Sequence, residues 1–177
     1  MLIRRGFKFE LRPNGMQIQL MMQFCGCARY VYNRTLSLEK SLYKKDSKHS
    51  FKYSEAANRL PGWKKKNPFL KKCHSQVLQQ SLKDLDRAYT NFFEKRGNVP
   101  KYKKKYRHDS IRFPQGVELD EVKQQIRLPK IGWMGYRKSR DIIGTIKNVT
   151  VSRRGEKWDV SIQTEYEVVS SAPNPSE

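Results

Sequence analysis

The hydrophobic period of this chain changes twice, and that constrains its fold more than any other feature. Residues 1–12 alternate: Ile3, Phe7, Phe9 and Leu11 share one parity, with Lys8 and Glu10 between them. A period of two predicts a strand. Pro13-Asn14-Gly15 breaks it, and Asn14 is placed to cap the next helix. Over 16–44, Leu20, Phe24, Cys27, Val31, Thr35, Leu38 and Leu42 step by three or four, which predicts a helix with one buried stripe. A short helix is expected from a Ser54 cap to about Leu60, stopped by Pro61-Gly62. A second long helix is expected from a Ser75 cap. Its stripe is Leu78, Leu82, Leu85, Tyr89 and Phe92, and Gly97 and Pro100 end it.

From 110 the period returns to two, in segments 110–113, 117–119, 125–128, 145–152 and 157–166. The last two flank the turn Arg153-Arg154-Gly155-Glu156. Strand, helices, then strands is an α+β order. The simplest arrangement folds 1–13 and 110–169 into one sheet or barrel, with 14–109 as a helical insertion. The stretch 170–177, Ser-Ser-Ala-Pro-Asn-Pro-Ser-Glu, reads as a linker or tail.

Charge narrows the function. The 177 residues carry 37 Lys+Arg against 17 Asp+Glu, a net +20, so the expected partner is a polyanion, nucleic acid first. The excess is uneven: +5 in 1–43, +13 in 44–109 and +2 in 110–177. Lys64-Lys65-Lys66 with Lys71-Lys72 forms one run. Lys101 to Arg107 forms another, which interleaves Tyr102 and Tyr106 with cations. A charge that neutralises phosphate beside a ring that stacks a base is a nucleic-acid pattern. The aromatic content (Trp 3, Tyr 9, Phe 8) argues against disorder. No run of ~18 apolar residues predicts a membrane span and no leader pattern follows Met1, so the expectation is a cytoplasmic chain with no membrane partner.

Catalytic chemistry is not visible. Cys25, Cys27 and Cys73 form no Cys-x-x-Cys pair, and Cys-x-Cys spacing suits one tetrahedral ion poorly even with His74 beside Cys73. They read as small buried hydrophobes, and neither metal nor cofactor is expected. His49, His74 and His108 lie in polar, basic segments and read as surface or phosphate-contact groups. Asp84 and Asp86 would point about 200° apart on a helix, so they share no metal. Asp120-Glu121 reads as a hairpin tip. No phosphate-cradling glycine loop or nucleophile motif is present.

Beyond these patterns, several segments resemble one family. Gly6-Phe7-Lys8-Phe9-Glu10-Leu11-Arg12-Pro13 is similar to the opening K-F-R-L-Y-P strand of the transposon-encoded TnpB family. Cys25-Gly26-Cys27-Ala28-Arg29-Tyr30-Val31-Tyr32-Asn33 resembles its G-x-x-R-F-V-Y-N helix, and Gln76 to Tyr89 its Q-A-L-Q-x-x-L-x-x-L-x-x-A-Y helix. Asn98-Val99-Pro100-Lys101-Tyr102-Lys103 resembles G-F-P-R-F-K, and Leu128-Pro129-Lys130-Ile131-Gly132-Trp133 resembles L-P-K-I-G-W. The resemblance runs in order from residue 6 to about 166.

It implies a wedge-like β-barrel interrupted by a helical, helix-turn-helix-type recognition insertion. It also implies RNA-guided DNA cleavage: a guide RNA from the transposon end, a double-stranded DNA target read at a short motif, and a RuvC-like domain that cuts. The family's G-x-D-x-G metal-binding motif follows the strand corresponding to 157–166 and does not occur in these residues. No cleavage by this chain alone is therefore expected, since two-metal chemistry needs bridging carboxylates. A separately encoded nuclease domain is one conceivable partner.

By position, the resemblance implies DNA-motif readers at Tyr53, Ser75, Gln76, Gln79 and Gln115. Glutamine is suited to a bidentate contact with adenine in the major groove. The guide-RNA side falls to Arg4, Arg5, Lys8, Arg12, Arg29, Lys101, Lys103, Lys104, Lys105 and Arg107, which would hold phosphates without reading sequence. Tyr30, Tyr32 and Phe92 are expected in the core, and Trp133 in the barrel. Two other readings compete: a stand-alone DNA-binding repressor or accessory protein of a transposon, and a basic RNA-binding protein of ribosomal type.

Overall fold

Asn14 turns the first strand into the first helix. Its Oδ1 accepts from the Gln17 N–H at 2.9 Å, while Gln17 Oε1 accepts from the Asn14 N–H at 3.0 Å. This reciprocal box satisfies two amides that the helix leaves open. In the computed structural model, which describes residues 1–169, it separates β1 (Leu2–Arg12) from α1 (Gly15–Lys45). The helical part continues with α2 (Tyr53–Lys66), a 3-10 turn (Pro68–Lys72) and α3 (Ser75–Phe93). Then come β2 (Ser110–Phe113), β3 (Glu118–Asp120), β4 (Gln125–Leu128), β5 (Gly132–Tyr136), β6 (Thr145–Arg154) and β7 (Lys157–Glu167). The expected tail, 170–177, lies outside the described residues.

One core runs through sheet and helices. Phe7 and Phe9 of β1, Phe24 and Val31 of α1, Leu78 and Leu82 of α3, Phe113 of β2 and Ile162 of β7 belong to a single buried cluster. Burying each such side chain contributes roughly 1.5–3 kcal/mol. α1 and α3 approach closely enough for Ser81 Oγ to donate to the Ala28 carbonyl at 2.6 Å. The three cysteines sit here as buried thiols, and burial pushes Cys25 up to about 12. They pack as hydrophobes, as their spacing suggests.

The strands form an open antiparallel sheet, in the order β2-β6-β7-β1-β5-β4-β3. This corrects the expected barrel: the outer strands β2 and β3 do not pair with each other. They have only four and three residues, too few to span a closing ladder. β1 joins the two halves. It pairs with β7 from Leu2 to Glu10 and with β5 only through Leu11 and Arg12. The expected placement of 1–12 in the same sheet as the late strands is therefore observed. The Arg154–Lys157 pair leaves Gly155 and Glu156 as the hairpin tip, with Gly155 at φ +63°.

Local expectations fail where tertiary contacts override them. Pro61 does not stop a helix; it lies inside α2. Ala56 and Leu60 are buried and Trp63 packs on the core, so both sides of the proline are held in place. Ser54 and Ser75 are not caps: the N-cap positions are Lys52 and His74, and neither uses its side chain. Strand β5 has no counterpart among the expected segments, because Gly132 and Gly135 dilute its alternation. Trp133 lies in a strand of the sheet, β5, and is 44% exposed. Tyr32 is buried as expected, whereas Tyr30 and Phe92 are half-buried.

Candidate nucleic-acid interface

α2 and α3 lie antiparallel, and their contacts bring distant sequence positions onto one face. At one end Lys64 Nζ donates to Ser75 Oγ at 2.9 Å. At the other, Lys83 Nζ lies 5.6 Å from the centre of the Tyr53 ring. Gln76 and Gln79 fall between these ends, three residues apart on α3 and so on one side of the helix. Four of the five expected DNA readers thus share a surface with two lysines. Gln79 and Ser75 are exposed; Gln76 is half-buried, and its Oε1 is buried without a protein partner. Gln115 is exposed in the turn after β2. It follows Phe113 by two residues, and that ring lies 6.2 Å from the His74 ring at the start of α3.

The potential at this end is positive. Burial first, then Lys130 and Lys64, hold the His74 pKa below its ordinary value. Lys130 Nζ donates to the carbonyls of Lys71 and Cys73 at 3.2 and 3.5 Å, which anchors it there. The first turn of α3 holds no acidic residue. Cations, open amides and glutamines together suit a phosphate backbone with a base edge beside it.

The run 101–107 is strapped antiparallel along α1. Lys103 donates its N–H to Asn33 Oδ1 at 2.7 Å, and Asn33 Nδ2 donates to the Lys103 carbonyl at 2.9 Å. Arg29 pairs with Asp109 at 3.1 Å, and Lys40 Nζ lies 4.4 Å over the Tyr102 ring. The strap sorts the expected phosphate contacts. Lys101, Lys104, Lys105 and Arg107 are exposed. Lys103 is exposed too, but its Nζ lies 4.4 Å over the Tyr32 ring, where partial desolvation lowers its pKa. Arg29 is committed to Asp109, yet it still lines a groove of about 740 Å³ on α1 with Asn33, Arg34, Ser37 and Trp63.

The β1 cations occupy a different surface. Arg4, Lys8 and Arg12 share the outward parity, opposite the buried Phe7, Phe9 and Leu11. Acidic neighbours on β7 partly neutralise two of them: Arg4 pairs with Glu165 at 3.0 Å, and Lys8 lies 4.0 Å from Asp159. Arg5 lies 6.0 Å from the Tyr166 ring centre.

Sequence reasoning missed several of the groups that build these surfaces. Asn33 holds the strap, and Asp109 locks its end. Arg34 lies 5.4 Å over Trp63, and Arg153 lies 5.2 Å over Tyr106. The one available signal was Asn33, the last residue of the Arg29–Asn33 segment, which carried no charge to draw notice. Among the described residues no group of three or more His, Cys, Asp or Glu is placed to hold a metal ion, and no helix is long and apolar enough to cross a membrane.

Comparison with known proteins identifies relatives of this chain. Residues 1–48 match the family model HTH_OrfB_IS605, described as a helix-turn-helix domain. Those residues fold here as β1 and one long helix. The chain is 48% identical over 174 residues to a protein of Escherichia coli (strain K12) named "Putative RNA-guided DNA endonuclease InsQ", and 32% identical over 178 residues to a "Putative RNA-guided DNA endonuclease" of Streptomyces pristinaespiralis. Each alignment covers 97% of this chain but only 43% and 44% of those relatives, so the chain spans less than half their length. On these matches the chain belongs to the transposon-encoded TnpB/OrfB family and corresponds to its N-terminal part.

Proposed function

We propose that this chain is the nucleic-acid-binding portion of an RNA-guided transposon nuclease. In this reading 14–109 is the recognition unit and the sheet supports it. The α2/α3 face, with Tyr53, Ser75, Gln76 and Gln79, reads a short motif in duplex DNA, helped by Gln115. The strap along α1 and the β1 cations hold the phosphates of a guide RNA taken from the transposon end. The single observation that carries the reading is the gathering of two glutamines, a tyrosine and a serine between Lys64 and Lys83 on one helical face. The names of the relatives supply the RNA-guided, DNA-directed class.

Cleavage belongs to a nuclease portion, on the same polypeptide or separately encoded, and these 177 residues bind without cutting. Most of the acidic groups near the basic surfaces are already committed: Asp109 to Arg29, Asp84 to Arg112 and Asp159 to Arg154.

The test is to express the chain beside its own transposon end, purify it and sequence the RNA that comes with it. Enrichment of the transposon-end RNA is expected. Recovery of random RNA, with duplex DNA still bound, would sink the guide reading in favour of a transposon repressor. Gln79→Ala should erase motif preference, while Lys104→Ala should weaken all sequences about equally and reduce the salt slope by about 1. Equal behaviour of the two variants would remove Gln79 as a reader. Mg²⁺-dependent cutting by the pure chain would refute the division of labour.

A further inference from the structure

The C-terminal ends of α1 and α3 form a cleft that the proposed DNA and RNA surfaces do not use. Its volume is about 330 Å³, at the small end of the range for small-molecule sites (~300–1,000 Å³). Three rings stand in near-parallel succession across it. Phe51 and Tyr89 are stacked at 5.5 Å and 23°, and Tyr89 and Phe93 at 6.3 Å and 18°. The series ends at Phe93, which is 63% exposed, and Tyr43 stands 57% exposed on the same cleft.

We propose that this cleft binds an unpaired nucleobase, which continues the ring series by stacking on Phe93. The proposal rests on the nucleic-acid-binding reading above and adds a site to it. Charge selects the occupant. Lys40 and Lys44 line the cleft, and α1 ends in Lys44 and Lys45 before its C-cap Asp46, which is not in the lining. The one carboxylate in the lining, Glu39, is spent: it accepts from His49 and, at 3.3 Å, from Arg59. A flat aromatic wall under a cationic rim fits a base attached to a phosphate chain. An apolar peptide would leave Lys44 desolvated without a partner. Tyr89 stays neutral, because burial and then Glu39 push its pKa up to about 12, so no phenolate opposes a phosphate there. Bases in a duplex already stack on one another, so the site takes a single strand, loop or bulge.

The experiment measures binding of the full chain to three labelled probes of equal length: single-stranded RNA, the same backbone made abasic, and an RNA duplex. Phe93→Ala should weaken single-strand binding by about 5- to 150-fold, the range for one lost base stack. It should leave the abasic strand and the duplex unchanged within about 2-fold, and Phe93→Trp should restore the loss. Phe93 is exposed, so its truncation does not threaten folding; a thermal melt confirms this. An unchanged single-strand affinity, or an equal loss for all three probes, would overturn the stacking site. So would a chain that is dimeric by sedimentation and becomes monomeric on Phe93→Ala, since a second copy would then be the occupant. Failure of the wild-type chain to bind any of the probes would instead bring down the nucleic-acid reading itself.

Discussion

Asn33→Ala separates the organisation of the basic strap from its charge. The side chain makes both bonds that clamp Lys103 to α1, at 2.7 and 2.9 Å. A net contribution near 1 kcal/mol each, less at the surface, makes the clamp worth about 1–2 kcal/mol. That energy is local, since the core beneath α1 is untouched, so it appears as strap opening rather than global unfolding. The Lys103 amide should therefore exchange with deuterium about 5- to 30-fold faster, at the tenfold-per-1.4-kcal/mol conversion. Amides of Leu78 and Leu82 in the buried helix should keep their rates.

Binding should respond less than exchange does. The Arg29–Asp109 pair and the ring contacts of Lys40 and Lys103 remain, so the strap stays mostly closed. Affinity falls only by the fraction of closed strap that is lost. Because no charge is removed, the slope of log affinity against log salt should not move. Native exchange at Lys103 in Asn33→Ala would refute the reasoning. It would mean that the ion pair and the rings hold the strap without the clamp.

Three further outcomes test the fold and its electrostatics. Leu82→Ala removes a fully buried side chain from the α1–α3 contact and should cost about 2–5 kcal/mol in urea unfolding; a change well under that range would mean that the site collapses or is not packed. Gly144→Ala should destabilise more than Gly155→Ala. Both positions have positive φ, but a Cβ at 144 would sit 2.8 Å from the Glu165 carbonyl oxygen while 155 opens to space, and the reverse order in thermal melts would contradict this register. His74 has a lowered folded pKa. The unfolded chain therefore takes up its proton first, and stability should fall as pH drops below about 6.5. His74→Gln should flatten that part of the curve in pH-dependent urea midpoints, and an unaltered profile would remove His74 as a contributor.

Much of the secondary structure is legible from local chemistry. The stripe from Phe24 to Thr35, the stripe from Leu78 to Leu85 and the alternation of β1 report burial directly, because one side of each element must leave water. The Asn14 cap is legible because its partner Gln17 is three residues away. Where energy comes from residues far apart in sequence, local signals mislead. Pro61 looks like a stop until Ala56, Leu60 and Trp63 are seen gripping the core on both sides of it. Ser75 looks like a cap until Lys64 takes its hydroxyl. β5 hides behind two glycines and is held by its pairing with β4 and β1.

For the interface, the sequence by itself determined the kind of ligand: +20, crowded into the middle third, calls for a polyanion wherever the chain folds. It also determined which residue types are available to meet one. Only the tertiary structure decided which of them lie together. Tyr53 and Gln79 share a face because α2 and α3 run antiparallel. Lys103 holds its Nζ over the Tyr32 ring because Asn33 clamps the strap at that residue. The barrel expected from the family pattern became an open sheet, because strands of three and four residues leave its two edges too short to meet. Charge and periodicity are sums over the chain and can be read in one dimension. A surface is a set of distances between residues far apart in sequence, and packing alone sets those.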